Sequence, residues 1–240
     1  MNVFIYDAVT EKYKKTTRRF EEKINTLGLQ GKIVYLQSIK NHRETIEQEI
    51  RNGAKTIIIL GNDQTVNNVI NILANISENV PVFIVPIGTN NSIAESMGIK
   101  NEKEAAFILS ARRMENIKIA KANHLFFINN CQISNKSTNL KIDNSYSVYS
   151  QKETKYKVVN LTDKESFLKE IKSSPQDNIL ELIIKNKGND ISVFPIKKNL
   201  EINNDQEKIL LDNSIKIDSP ASISISDKTM SFIVGKERLF

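Results

Sequence analysis

The chain has 240 residues, 40% hydrophobic and 26% charged, the balance of a globular fold with material for a sizeable core. Its formal net charge is +6, but Lys is spread along the chain and no basic patch carries interleaved aromatics, which argues against a nucleic-acid partner. The single cysteine, Cys131, excludes an intrachain disulfide and a cysteine-based metal centre, and His42 and His124 lack metal-ligand spacing. In chain order, Asn2–Tyr6 reads as a short apolar strand. Tyr13, Thr17, Phe20, Ile24 and Leu27 recur at steps of three and four, predicting a helix over Glu11–Leu27 that Gly28 stops. Lys32–Gln37 is the next strand and His42–Arg51 the next helix, ended by Asn52-Gly53. Lys55–Leu60 is apolar throughout, as a strand buried on both faces requires. A helix over Thr65–Ile76, a strand over Pro81–Pro86 and helices near Ser92–Met97 and Glu102–Met114 follow.

Alternating strands and helices up to about residue 115 predict a mostly parallel sheet with helices on both faces. Beyond residue 117 the texture changes to short strands bounded by Asn, Asp, Ser or Gly, from Ile117–Ala120 to Met230–Val234. Only Lys164–Ile171 reads as a helix there, and the polar stretch Asn135–Asn144 reads as a loop. The expected fold class is therefore α/β: an N-terminal parallel-sheet three-layer domain over 1–117 and a C-terminal antiparallel β-sandwich over 118–240. The opening MNVFIYD enters a strand with no signal-peptide pattern. The apolar runs Thr56–Leu60 and Val80–Ile87 fall far short of the ~18 residues that span a bilayer. The expected location is cytoplasmic.

Ligands of open α/β sheets bind outside the carboxyl ends of the strands, and two strand-to-helix junctions there carry suggestive residues. The first is Gly61-Asn62-Asp63-Gln64-Thr65. A phosphate here would meet backbone N–H groups and the positive end of a helix. Gly61 permits a tight turn and Asn62 tolerates positive φ. Asp63 is suited to orient a metal ion or a proton, and Thr65 to donate its hydroxyl. The plainer alternative is that Asp63 or Thr65 caps the helix. The second junction, Gly88-Thr89-Asn90-Asn91-Ser92, repeats the logic, with Asn91 or Ser92 as the plain cap. The two junctions follow consecutive strands, so both are expected to face one crevice.

At these loops the chain resembles the diacylglycerol kinase catalytic-domain superfamily, which includes bacterial lipid kinases and sphingosine kinases. That family reads Gly-Gly-Asp-Gly-Thr-Val-Asn-Glu-Val where this chain reads GNDQTVNNV (Gly61–Val69), and Pro-Leu-Gly-Thr-Gly-Asn-Asp-Phe-Ala where it reads PIGTNNSIA (Pro86–Ala94). Glu115–Ile133, Gln176–Asn186 and Leu211–Gly235 are similar to the family's crossing into its second domain, its Asp-Gly-x-Leu strand and its Asp-Gly-Glu closing segment. The resemblance implies ATP bound by Gly61, Asn62, Asp63, Gln64, Thr65, Gly88, Thr89, Asn90 and Asn91, with Mg²⁺ and with Asp63 as the catalytic residue. It implies a lipid hydroxyl as substrate, phosphorylated in the cleft between the domains. It also implies a homodimer among the partners and peripheral contact with the inner membrane face. The departures are Asn62 and Gln64 in place of two glycines, Asn68 and Ser92 in place of acids, Tyr6-Asp7-Ala8 in the first loop, and Ser214 where the family has its proposed base. These favour impaired or altered chemistry, so the alternative to an ATP-dependent lipid kinase is a non-catalytic nucleotide- or phosphate-binding protein. A relative of NAD kinase fits the second domain less well.

Overall fold

The computed structural model describes residues 1–36, 41–135, 138–150, 154–163, 174, 176–186, 190–204 and 208–240. The chain divides into two compact units: Met1–Ile117 with Met230–Leu239, and Lys118–Thr229 with Phe240. The expected second domain runs to the C-terminus, whereas Met230–Leu239 joins the first unit.

The first unit alternates β1 (Asn2–Tyr6), α1 (Ala8–Lys12), α2 (Lys14–Thr26), β2 (Gly31–Tyr35), α3 (His42–Arg51), β3 (Thr56–Gly61), α4 (Asp63–Leu73), β4 (Val82–Pro86), α5 (Ser92–Ser96) and α6 (Glu102–Ala111). β3 and β4 are buried at every residue, as strands covered on both faces must be. The strands run parallel in the order β2-β1-β3-β4. β1 therefore lies between β2 and β3, and the winding reverses there. Right-handed crossovers then put α2 on one face and α3 and α4 on the other. The contacts of α2 with α6 and of α3 with α4 agree, giving three layers.

One expected helix is two. Asp7 caps α1 by accepting Ala8 N, and the chain breaks at Tyr13 (φ −110°, ψ 42°) before α2 begins. Thr17, Phe20 and Ile24 are buried on α2, the spacing that its periodicity required. α6 ends at Ala111 because Arg112 turns left-handed at φ 49°. Gln37, expected at the end of β2, lies outside the described residues.

β5 (Met114–Ala122) leads into the second unit: β6 (Leu125–Phe127), β7 (Asn130–Asn135), β8 (Thr138–Ile142), β9 (Tyr146–Ser150), β10 (Thr154–Val159), β11 (Leu180–Asn186), β12 (Ile191–Ile196), β13 (Leu200–Asn203), β14 (Ile209–Leu211), β15 (Ile215–Ile217) and β16 (Ala221–Ile233). β12-β11-β10-β7-β14-β15 form one antiparallel sheet. β9, β8, β13 and the start of β16 form a second antiparallel array. Leu140, Ile142, Leu200 and Ile202 from one set share a buried core with Tyr156, Val158 and Leu182 from the other, which makes the sandwich. Within the stretch Asn135–Asn144 expected as a loop, Thr138–Ile142 is the strand β8. Thr138, Leu140 and Ile142 point inward while Asn139 and Lys141 point out, a period-two pattern hidden in polar composition. The two expected end strands, Ala221–Ser226 and Met230–Val234, are one strand, β16. The expected helix Lys164–Ile171 falls outside the described residues, apart from which none of the described residues of this unit is helical.

Candidate functional site

The winding reversal brings the carboxyl ends of β1, β3 and β4 side by side, with β3 in register against β4 from Ile57↔Val82 to Gly61↔Pro86. Both glycine-bearing junctions thus leave the same edge of the sheet. Asp63 N donates to Asn90 O at 2.8 Å and Ile87 N to Gly61 O at 3.0 Å, so the two crossovers are joined directly.

Each candidate residue has a definite place. Gly61 has no room for a side chain, since a Cβ would lie 2.4 Å from Thr65 Cβ. Asn62 does not take positive φ; at φ −100° it is the N-cap of α4, and its side chain accepts Thr65 N at 3.2 Å. The left-handed residue is Asn90 instead, at φ 62°. Gln64 is exposed and lies along α4, its Nε2 donating to Asn68 Oδ1 at 3.2 Å, so it does not fill the mouth of the loop. Thr65 is buried, and its hydroxyl donates to Asp7 Oδ2 at 2.7 Å. Gly88 has φ +85°, and a Cβ there would come within 2.9 Å of the Tyr13 ring. Thr89 and Asn90 are exposed at the loop tip. Asn91 Nδ2 donates to Gly88 O at 2.9 Å.

Asp63 caps a helix other than its own. Its carboxylate accepts Ser92 N at 2.9 Å, Ser92 Oγ at 2.7 Å and Ile93 N at 3.0 Å, all at the start of α5. Burial pushes this carboxyl up to about 6, against the lowering pull of those bonds. An ionised carboxylate has about four acceptor positions, and three are taken here. The backbone amides of Asp63, Thr65, Ser92 and Ile93 at these junctions therefore serve the chain's own acceptors.

Sequence reasoning missed Asp7 as part of this edge. Asp7 follows β1, caps α1 and receives the Thr65 hydroxyl, so it links the β1–α1 junction to the β3–α4 junction. The available signal was an Asp directly between a strand and a helix. In the second unit, Asp212 is fully buried and accepts Ile128 N, Asn129 N and Asn130 N at 2.7, 2.7 and 2.9 Å. Asp212 and Asn213 both take positive φ, at 43° and 55°. Gln132 Nε2 holds Asn213 Oδ1 at 2.7 Å, and Ser214 N bonds Leu211 O at 2.9 Å.

The diacylglycerol kinase catalytic domain family matches residues 2–122, half of the chain and all three crossovers. This chain belongs to that family. A protein named "Putative lipid kinase" from Staphylococcus haemolyticus is 31% identical over 129 residues, which take up 52% of this chain and 40% of that protein. Another so named, from Staphylococcus epidermidis, is 29% identical over 98 residues, 40% of this chain and 30% of its own length. The chain thus spans less than half the length of the curated relatives it matches. A structure titled "A putative diacylglycerol kinase" from Bacillus anthracis superposes with a TM-score of 0.78 at 18% identity, covering 99% of this chain and 98% of that one. A second, of a diacylglycerol kinase from the same organism, gives 0.76 at 18%, covering 99% and 97%. The two-domain fold of these structures is the fold of this chain.

Proposed function

We propose that this diacylglycerol-kinase-family chain is an ATP-dependent lipid kinase that phosphorylates a lipid hydroxyl. The observation that carries the reading is the direct joining of the family's two phosphate-loop positions, through Asp63 N on Asn90 O and the Asp63 carboxylate on Ser92 and Ile93, at the winding reversal where open α/β sheets take ligands. The residues present suit a nucleotide. Asn91 Oδ1 is buried with no hydrogen-bond partner, an acceptor that costs about 1–3 kcal/mol until a donor reaches it. A ribose hydroxyl, an adenine amino group or a metal-bound water supplies such a donor. Thr89 and Asn90 would hold the nucleotide from the exposed tip of their loop. Among the described residues no cluster of three His, Cys, Asp or Glu could hold a metal ion, so Mg²⁺ would arrive on the nucleotide phosphates, as it commonly does. ATP would supply the phosphoryl group, and the chain's contribution would be positioning and charge neutralisation.

A second reading, nucleotide binding without turnover, is favoured by Ser214. It stands where the family carries its proposed base, and a hydroxyl cannot replace a carboxylate worth ~10²–10⁴-fold in rate. Calorimetric titration with ATP, followed by phosphate transfer from labelled ATP to mixed lipids, decides between them. Turnover that rises at least about tenfold in Ser214→Glu supports the kinase. ATP binding with no transfer by either form supports the second reading, and no ATP binding overturns both.

A further inference from the structure

On the first unit, Phe107 of α6 is 51% exposed. It stands between two hollows. One, of about 450 Å³, is lined by Arg19, Glu22, Lys23 and Thr26 of α2 with Lys103 and Phe107 of α6. The other, of about 290 Å³, is walled mostly by apolar groups, among them Phe107, Ile108, Ala111 and Val234, with Arg113 and Lys236 at its rim. Lys23 Nζ lies 4.4 Å from the centre of the Phe107 ring. The acids of these walls are largely engaged: Glu22 pairs with Arg18 at 3.0 Å, Glu237 with Lys100, and Glu104 accepts Asn101 Nδ2 at 3.1 Å. Arg19 in turn pairs with Glu102 at 3.6 Å. With every partner counted, seven cations (Arg18, Arg19, Lys23, Lys100, Lys103, Arg113 and Lys236) face four acids (Glu22, Glu102, Glu104 and Glu237), which leaves surplus positive charge around an exposed ring.

We propose that this α2–α6 face docks on an anionic lipid bilayer, with Phe107 as the interfacial anchor. Charge complementarity names the occupant. Each Lys or Arg near an anionic leaflet contributes about 1 kcal/mol of attraction, and an aromatic ring flanked by long cationic side chains suits the boundary between headgroups and acyl chains. The basic hollow has the chemistry for a phosphate headgroup, and the neighbouring apolar hollow the chemistry for the upper part of an acyl chain. The proposal concerns docking alone and stands apart from phosphoryl transfer, so it is tested without ATP and its failure leaves the kinase reading untouched.

The test is co-sedimentation of the full chain with vesicles of mixed phosphatidylcholine and phosphatidylglycerol, against pure phosphatidylcholine. Binding to the anionic vesicles only, weakened by salt, is expected. Lys23→Glu/Lys103→Glu lowers the bound partition by at least about tenfold, whereas the same charge change in Lys55→Glu/Lys216→Glu has a far smaller effect. The chain contains no Trp, so Phe107→Trp introduces a lone reporter whose emission shifts to the blue on anionic vesicles and stays unchanged with phosphatidylcholine. All four substituted positions and Phe107 lie at the surface, and circular dichroism verifies that each variant is folded. Equal binding to both vesicles, no binding to either, equal losses in the two double variants, or an unmoved emission overturns the proposal.

Discussion

Asp63 opens α4, yet its carboxylate serves the first turn of α5. A buried carboxylate that accepts two backbone amides and a hydroxyl is costly to remove, because each stranded donor loses its partner in a dry site. Asp63→Ala is expected to destabilise the fold on the order of 1–3 kcal/mol, read as a lowered urea midpoint. The pH dependence has a definite sign. Burial raises the folded carboxyl to about 6, above its ordinary value of 3.8. The folded state therefore holds the proton longer than the unfolded chain, and stability linked to this group falls as pH rises from about 4 to about 6. The advantage of wild type over Asp63→Ala should narrow across that window and stay level above it. The identity of Asp63 as a candidate was legible in GNDQT. Its acceptor role was not, because the atoms it meets lie about thirty residues away and only folding brings them near.

At the scale of elements, most helices and strands of the first unit follow from periodicity, and the departures have local causes. The break at Tyr13 divides an apolar spacing that reads as continuous, because Asp7 starts a separate short helix one turn early. α6 stops at Arg112, a residue held left-handed at φ 49°. That conformation costs a non-glycine residue roughly 1–2 kcal/mol, part of which glycine returns through its unfolded-state entropy. Arg112→Gly is thus expected to stabilise the protein by about 0.5–1 kcal/mol, seen as a raised thermal midpoint. β8 was hidden by its outward Asn139 and Lys141. A two-residue alternation carries little signal when only three side chains face the core, and sheet pairing with β13 and β9 decides it.

At the scale of the molecule, the C-terminal segment belongs with the first unit. Phe232 pairs with Val82 of β4, Gly235 N donates to Met97 O and Leu239 N to Ser96 O. A fragment ending at Ile117 would leave the β4 edge unpaired and the apolar side of Val234 and Phe232 missing, and exposed edges invite aggregation. Such a fragment is expected to aggregate or lose its cooperative thermal transition, while the same fragment joined through a short linker to residues 230–240 regains it; size-exclusion chromatography and circular dichroism distinguish the two. The sequence by itself determined the alternating first half, the β-rich second half, the glycine-bearing crossovers and the family they mark, because these rest on periodicity and on contiguous motifs. Tertiary structure alone decided which helix Asp63 caps, that Asp7 joins the crossovers through Thr65, and that Met230–Leu239 returns to the first unit. Each of these is a contact between residues far apart in the chain, and hydrogen bonding and burial select such contacts only once the strands are in register.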